Sequence, residues 1–162
     1  MGIKEQILQL LENDSRLTHK EIAMMLDLEE SAVDDYVREM EEDRIICGYH
    51  TIVNWEKTND SDVSAIVEVR VNPQRGQGFD RIAEKIYQFP EVQAIYLISG
   101  SYDFSIELKK APMRDIANFV SSRLSIIEEV QSTSTNIILK KYKDHGTLFV
   151  QEEGEQRLAV SP

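Results

Sequence analysis

Cysteine is almost missing from this chain. Cys47 is the only one in 162 residues, so no disulfide can close within the chain and no cysteine cage can hold zinc or an iron–sulfur cluster. Histidine is scarce too. His19, His50 and His145 are scattered, without the HExxH spacing of a catalytic metal site. No run of about 18 apolar residues is available to cross a bilayer, and no apolar stretch follows a basic start as in a secretory leader. The expectation is a soluble protein of a reducing, cytoplasmic compartment with no membrane partner. There is no G-x-S-x-G elbow and no phosphate-cradling loop; Gly76-Gln77-Gly78 is only a fragment of one. These absences argue against an enzyme, a cofactor and a bound metal.

Positive charge is the other shortage. Lys and Arg number 18 against 29 Asp and Glu, a net charge of -11. The imbalance is concentrated: residues 1–60 hold 6 basic and 15 acidic side chains, whereas 61–162 hold 12 and 14. Such a chain has no generic attraction to nucleic acid or anionic lipid. A hydrophobic share of 41% is enough for packed cores, and the length suits one large domain or two small ones.

Within the acidic part, Ile3, Ile7, Leu8 and Leu11 recur at helical spacing. Thr18 with Glu21 three residues on forms a capping box for a second helix, whose Ile22, Ala23 and Leu26 face inward. Asp27 lies in a turn, and a third helix begins near Glu29 or Glu30 with Val33, Val37 and Met40 as its inner stripe. Helix, short turn, helix is the spacing that lets a second helix enter a major groove. The outer residues of that helix are Glu30, Ser31, Asp34, Asp35, Arg38, Glu39 and Glu42. Like charges at i,i+4 cost a few tenths of a kcal/mol each, and Arg38 is placed to offset them by pairing with Asp34 and Glu42. Phosphate neutralisation supplies much of protein–DNA affinity, so an acidic helix gives that up. An Asp can still accept from cytosine N4; Arg16, Lys20, Arg38 and Arg44 remain to hold phosphates. The residues fit equally a three-helix domain with a solvated acidic face.

From Ile45 to Trp55 the types become β-branched and aromatic, which reads as a short wing or linking strand. Cys47 reads there as a small buried hydrophobe, and Trp55 as a packing or dimer-contact residue. Met24 and Met25 read as helix packing and helix surface. The run Lys57 to Asp62 looks like a boundary.

Residues 63–142 then read as two copies of one unit. Val63, Ala65, Val67, Val69 and Val71 alternate as a strand; Phe79, Ile82, Ala83, Ile86 and Tyr87 make an amphipathic helix; residues 91–99 form a second strand. Gly100-Ser101 makes a tight turn, and Tyr102, Phe104, Ile106 and Leu108 form a third strand. Pro112 opens a helix bearing Met113, Ile116, Ala117, Val120, Leu124 and Ile127, and residues 130–142 give a fourth strand. The order βαββαβ is a ferredoxin-like α/β sandwich. Its uncovered sheet face, expected to carry Ile66, Ile95 and Leu97, calls for a second copy. Acidic pairs such as Glu128-Glu129 read as solvated ends. The tail 144–162 suits a terminal hairpin or a disordered acidic end. The division is 1–58, 59–143 and 144–162.

RLTHKEIAMMLDL, V-x-x-x-V-x-x-M-E-E-D-x-I-I, ISGSYDFSIEL and STSTNIILKKY together resemble the Lrp/AsnC family over roughly residues 3–142. The resemblance implies an α+β architecture: a winged helix-turn-helix, then a ferredoxin-like regulatory (RAM) domain. It implies homodimers, also assembled into tetramers or octamers, that bind double-stranded DNA and hold an amino acid or related small metabolite. The motif match places the effector at Ser99, Gly100, Ser101, Tyr102 and Asp103, with Thr133 and Thr135 as weaker additions; the residues of the helix-turn-helix itself put Arg16, Thr18, Lys20, Ser31, Asp34, Asp35, Arg38 and Arg44 at the DNA. Turn amides can bind a carboxylate and Asp103 an ammonium. Gly-Ser-Tyr-Asp fits a plain hairpin turn as well, with Asp103 accepting backbone hydrogen bonds, and the sequence leaves both open. The family commonly has Gly at positions 27 and 44, Ser at 29 and Arg near 35–36, where this chain has Asp27, Arg44, Glu29 and Asp35-Tyr36. The leading expectation is a DNA-binding regulator under metabolite control; the alternative is a metabolite sensor that has lost direct DNA binding.

Overall fold

The computed structural model describes residues 1–58, 60–73 and 78–150. Two compact units follow one another, Met1–Val53 and a second beginning at Asn54.

The first unit is three helices: α1 (Ile3–Asn13), α2 (His19–Leu26) and α3 (Glu30–Glu42). Ile7, Leu11, Ile22, Ala23, Val33, Val37 and Met40 are its buried centre. Ile3 is exposed instead of inward, because at the first residue of α1 no further turn exists to cover it. Thr18 caps α2 as its spacing demands: its hydroxyl accepts from Glu21 N–H at 3.2 Å, while Glu21 Oε2 takes the Thr18 N–H at 2.8 Å. α2 ends at Asp27 in the left-handed region, φ 54°, and the N–H of Leu28 returns to the Ala23 carbonyl at 2.9 Å. Arg44 is likewise left-handed, φ 60°, just beyond α3.

No strand forms between residues 45 and 53. A strand needs a ladder partner, and this three-helix unit offers none. The segment is extended, with Ile45, Tyr49, Ile52 and Val53 exposed. Cys47 is exposed rather than buried. Trp55 belongs to a 3₁₀ turn, Trp55–Lys57, not to a strand. Met24 and Met25 both lie on the surface of α2.

The second unit runs β1 (Val63–Val71), α4 (Gly78–Tyr87), β2 (Val92–Leu97), β3 (Phe104–Ala111), α5 (Met113–Phe119) and β4 (Val130–Ile138). The sheet order is β2-β3-β1-β4, antiparallel throughout. α5 widens into a π-helical turn over Val120–Leu124, so Ile127 packs from the turn beyond rather than from the helix, and Met113 is exposed. Val67, Val69, Phe104 and Ile106 from the sheet meet Ile82, Ile86, Phe119 and Leu124 from the helices. β4 stops at Ile138, where its partner β1 runs out at Ser64.

Two expectations fail in this unit. A bulge between Val92 and Ala94 inverts the parity of β2, so Ile95 opposes Ile106 and Leu97 opposes Phe104 on the helix-covered face. The open face carries Ile66, Ala94, Tyr96 and Ile138 among a polar majority of Ser64, Glu68, Arg70, Ser105, Glu107, Ser132, Ser134 and Asn136. Glu129 is buried at 5% exposure rather than solvated. Lys85 Nζ of α4 reaches its Oε1 at 2.5 Å, a partner that sequence neighbours could not reveal.

The tail begins as a two-residue hairpin: β5 (Lys143–Asp144) pairs with β6 (Thr147–Leu148). His145 and Gly146 are both left-handed, at φ 43° and 80°, as such loops require. Residues 151–162, and Gly76 of the predicted loop, lie outside the described residues.

Two stability outcomes follow. Arg44→Gly should stabilise the chain by roughly 0.5–1 kcal/mol by removing the left-handed cost of a side chain, with Asp27→Gly smaller because Asp tolerates that region; a lower urea midpoint would contradict this. The Lys85 ammonium, then a backbone hydrogen bond, hold the Glu129 carboxyl below its usual 4.5. A depressed carboxyl stabilises the fold above its unfolded value, and that contribution is lost as pH falls through the folded value. Lys85→Met should cost about 1–3 kcal/mol at pH 7, with the gap to the parent closing below pH 4.5 in urea titrations.

Candidate functional site

α2 and α3 carry the expected DNA surface. Thr18 is spent on the capping box. Lys20 and Ser31 are exposed, and Lys20 makes no ion pair among the described residues. Arg16 is exposed but clamped: its Nε and Nη2 donate to the two carboxylate oxygens of Asp14 at 2.9 and 2.8 Å. That side-chain bond, then the Arg16 N–H, hold the Asp14 carboxyl down at about 2, so the clamp persists at neutral pH. Arg38 pairs with Asp35, not with Asp34 and Glu42, because Asp34 is already taken by the ring of His19. Lys4 of α1 takes Glu39 at 2.7 Å. Arg44 is exposed, with no ion pair among the described residues. The acidic face is therefore met by Lys4 of α1, the His19 ring of α2 and Arg38 of α3 itself, and little free positive charge remains.

The second candidate region is the connection from β2 to β3. It is not a two-residue turn but a loop, closed where Ile98 N–H meets the Asp103 carbonyl at 2.8 Å. Asp103 ties it to β1 twice: its N–H donates to the Val69 carbonyl at 3.0 Å, and its Oδ2 accepts from Val71 N–H at 2.8 Å. Arg70, which sequence reading passed over, donates through Nε to the Ser101 carbonyl at 3.1 Å and lies 5.5 Å from the Tyr102 ring centre. Its signal was a lone basic residue at an outward position of β1. The N–H groups of Ser99, Gly100, Ser101 and Tyr102 donate to no described residue. Gly100 is not left-handed, and a Cβ there would meet nothing within 4 Å, so nothing in this chain demands glycine at that point.

Thr133 and Thr135 oppose Val69 and Val67, which places them on the helix-covered side of the sheet. Ser132 and Ser134, opposite Arg70 and Glu68, are their counterparts on the open face. Thr133 and the loop thus flank the same end of β1 from its two sides.

The winged helix-turn-helix DNA-binding model matches residues 2–46, and the Lrp/AsnC ligand binding domain model matches 64–148. The chain belongs to the Lrp/AsnC family. A helix-turn-helix DNA-binding unit is here followed by a ligand-binding domain, so this chain is a DNA-binding transcriptional regulator that carries a ligand-binding domain. It is similar to the HTH-type regulator YugG of Bacillus subtilis, 39% identical over 97% of this chain and 95% of that one. It is also similar to the regulator LrpA of Pyrococcus horikoshii, 33% identical over 85% and 94%. Among solved structures, a Neisseria meningitidis transcriptional regulator in complex with L-methionine shares the fold: TM-score 0.70, 22% identity, 89% and 92% covered. LrpA of Mycobacterium tuberculosis does so too, with TM-score 0.74, 24% identity, 90% and 96% covered. Nothing in these likenesses favours a family member that has lost DNA binding. No helix among the described residues is long and apolar enough to cross a membrane.

Releasing Arg16 should strengthen DNA binding. Asp14→Asn keeps an acceptor for the backbone but loosens the clamp; affinity for duplex should rise roughly three- to tenfold at low salt, and the salt slope should steepen by about one. Anisotropy titrations across salt concentrations read both, and an unchanged slope would show that Arg16 stays out of the interface.

Proposed function

We propose that assembled copies of this chain grip duplex DNA through α2 and α3 and alter that grip when an amino acid occupies the β2–β3 loop. The observation that carries the ligand half is the row of unspent amides from Ser99 to Tyr102, ending at a half-buried carboxylate with one oxygen, Asp103 Oδ1, unused among the described residues. Consecutive amides suit an α-carboxylate, and an acidic oxygen beside them suits an α-ammonium. That pair of groups defines a zwitterion. Arg70 and the second Asp103 oxygen set the loop's shape rather than touching the ligand. Thr133 and Thr135 supply further hydroxyls from β4. The Neisseria regulator solved with L-methionine supports an amino acid as the effector class. On the DNA side, Lys20 and Arg44 meet phosphates directly, joined by Arg16; Ser31, Asp34, Asp35 and Arg38 face the groove. Homodimers double this sparse positive charge, and tetramers or octamers multiply it again. The cytoplasm, where both DNA and amino acids occur, is the working compartment.

The deciding experiment is a genomic binding footprint with and without a panel of amino acids, beginning near 50 mM salt where phosphate contacts are strongest. One amino acid should shift the footprint. Asp103→Asn separates ligand contact from architecture, because an amide oxygen still accepts from Val71 N–H while the charge is gone. The variant should fold normally and lose at least tenfold in effector affinity by calorimetry. An unchanged affinity would leave Asp103 a loop anchor only.

A further inference from the structure

Asp34 and Arg38 stand one turn apart on the exposed side of α3, so both leave the same side of the helix. Each is held from one direction only. The His19 ring engages Asp34 Oδ1, and Asp35 Oδ1 engages Arg38 Nη2. Asp34 Oδ2, and Nε and Nη1 of Arg38, make no hydrogen bond to a described residue. Asp34 therefore keeps an unspent acceptor, and Arg38, with one N–H of Nη2 given to Asp35, keeps the second N–H of Nη2 together with those of Nη1 and Nε.

Their partners follow from the chemistry of base edges. A carboxylate only accepts. Guanine presents two acceptors in the major groove, thymine an acceptor and a methyl, adenine a donor beside an acceptor, and cytosine a lone amino donor. The free oxygen of Asp34 is repelled by guanine and thymine, half-served by adenine, and fully served by cytosine N4. A guanidinium presents parallel donors as Nη1 with Nη2 or as Nε with Nη2, and either pair, completed by the second N–H of Nη2, matches guanine O6 and N7.

We propose that α3 reads two neighbouring G·C pairs, Asp34 taking cytosine N4 and Arg38 taking guanine, with His19 and Asp35 as positioning residues. This rests on DNA contact through α3 and names what that contact recognises. It also gives the acidic face a use. The carboxylates weaken binding to every duplex, and weaken it least where a cytosine amino group is offered, so discrimination comes from repulsion as much as attraction.

Full-length protein is taken through selection from random duplexes at low salt, and the selected sites are titrated by anisotropy. The selected sites should share adjacent G·C pairs, and exchanging the key C·G for T·A should weaken binding about tenfold. Asp34→Asn should move the preferred base at that one position from cytosine to adenine, which an amide pairs with; Arg38→Lys should relax the guanine alone. With the unmodified protein, N4,N4-dimethylcytosine at the key position should weaken binding as much as thymine does. A folded Asp34→Asn protein selecting the parent's sequence, or full binding to the dimethylated site, overturns the proposal and leaves DNA regulation standing. A parent that selects no sequence overturns both.

Discussion

A carboxylate carried toward a duplex is repelled by each phosphate within a screening length, about 8–10 Å at ordinary ionic strength. The N-terminal unit is organised around that repulsion. Six acidic side chains and one arginine lie along α3, and the bases around it are already engaged: Lys4 with Glu39, His19 with Asp34, Arg38 with Asp35. Arg16, ahead of α2, is held by Asp14. Exposed ion pairs are individually weak, so they can be exchanged for phosphate contacts at small cost.

The second unit meets a different constraint: within one chain, helices cover one face of its sheet and leave the other uncovered. α4 and α5 bury the valine row of β1, and the polar row between those valines, from Ser64 to Arg70, faces out. The two rows communicate at one end of β1. There Asp103 accepts from the Val71 amide, Arg70 donates to the Ser101 carbonyl, and Thr133 opposes Val69.

What the amino acids disclosed was whatever depends on near neighbours in the chain. The capping box at Thr18 and Glu21, the apolar stripes of α2 and α3 and the alternation of β1 are local and came through intact. The left-handed residues Asp27 and Arg44 stand where glycine is the usual family choice, so the departure from the family pattern located real backbone stress. Failures needed information from elsewhere. One extra residue at Val92–Ala94 inverted β2, and periodicity cannot see a bulge. Glu129 found Lys85 on another element. Residues 45–53 have strand composition but no strand beside them. Within the candidate site, the Asp103 region was legible as a turn with an acid in it; the β1 backbone as its anchor, and Arg70 as its second strut, were not.

That partnerless segment has a consequence for how the molecule can be watched. Ile45 and Ile46 still donate to the Met40 carbonyl, but with no ladder the amides from Cys47 to Val53 donate to no described residue, so in an isolated chain they should swap protium for deuterium almost as fast as an unstructured peptide. Protection appearing there would be a clock set by association rather than by folding, read directly by mass along seven residues of backbone.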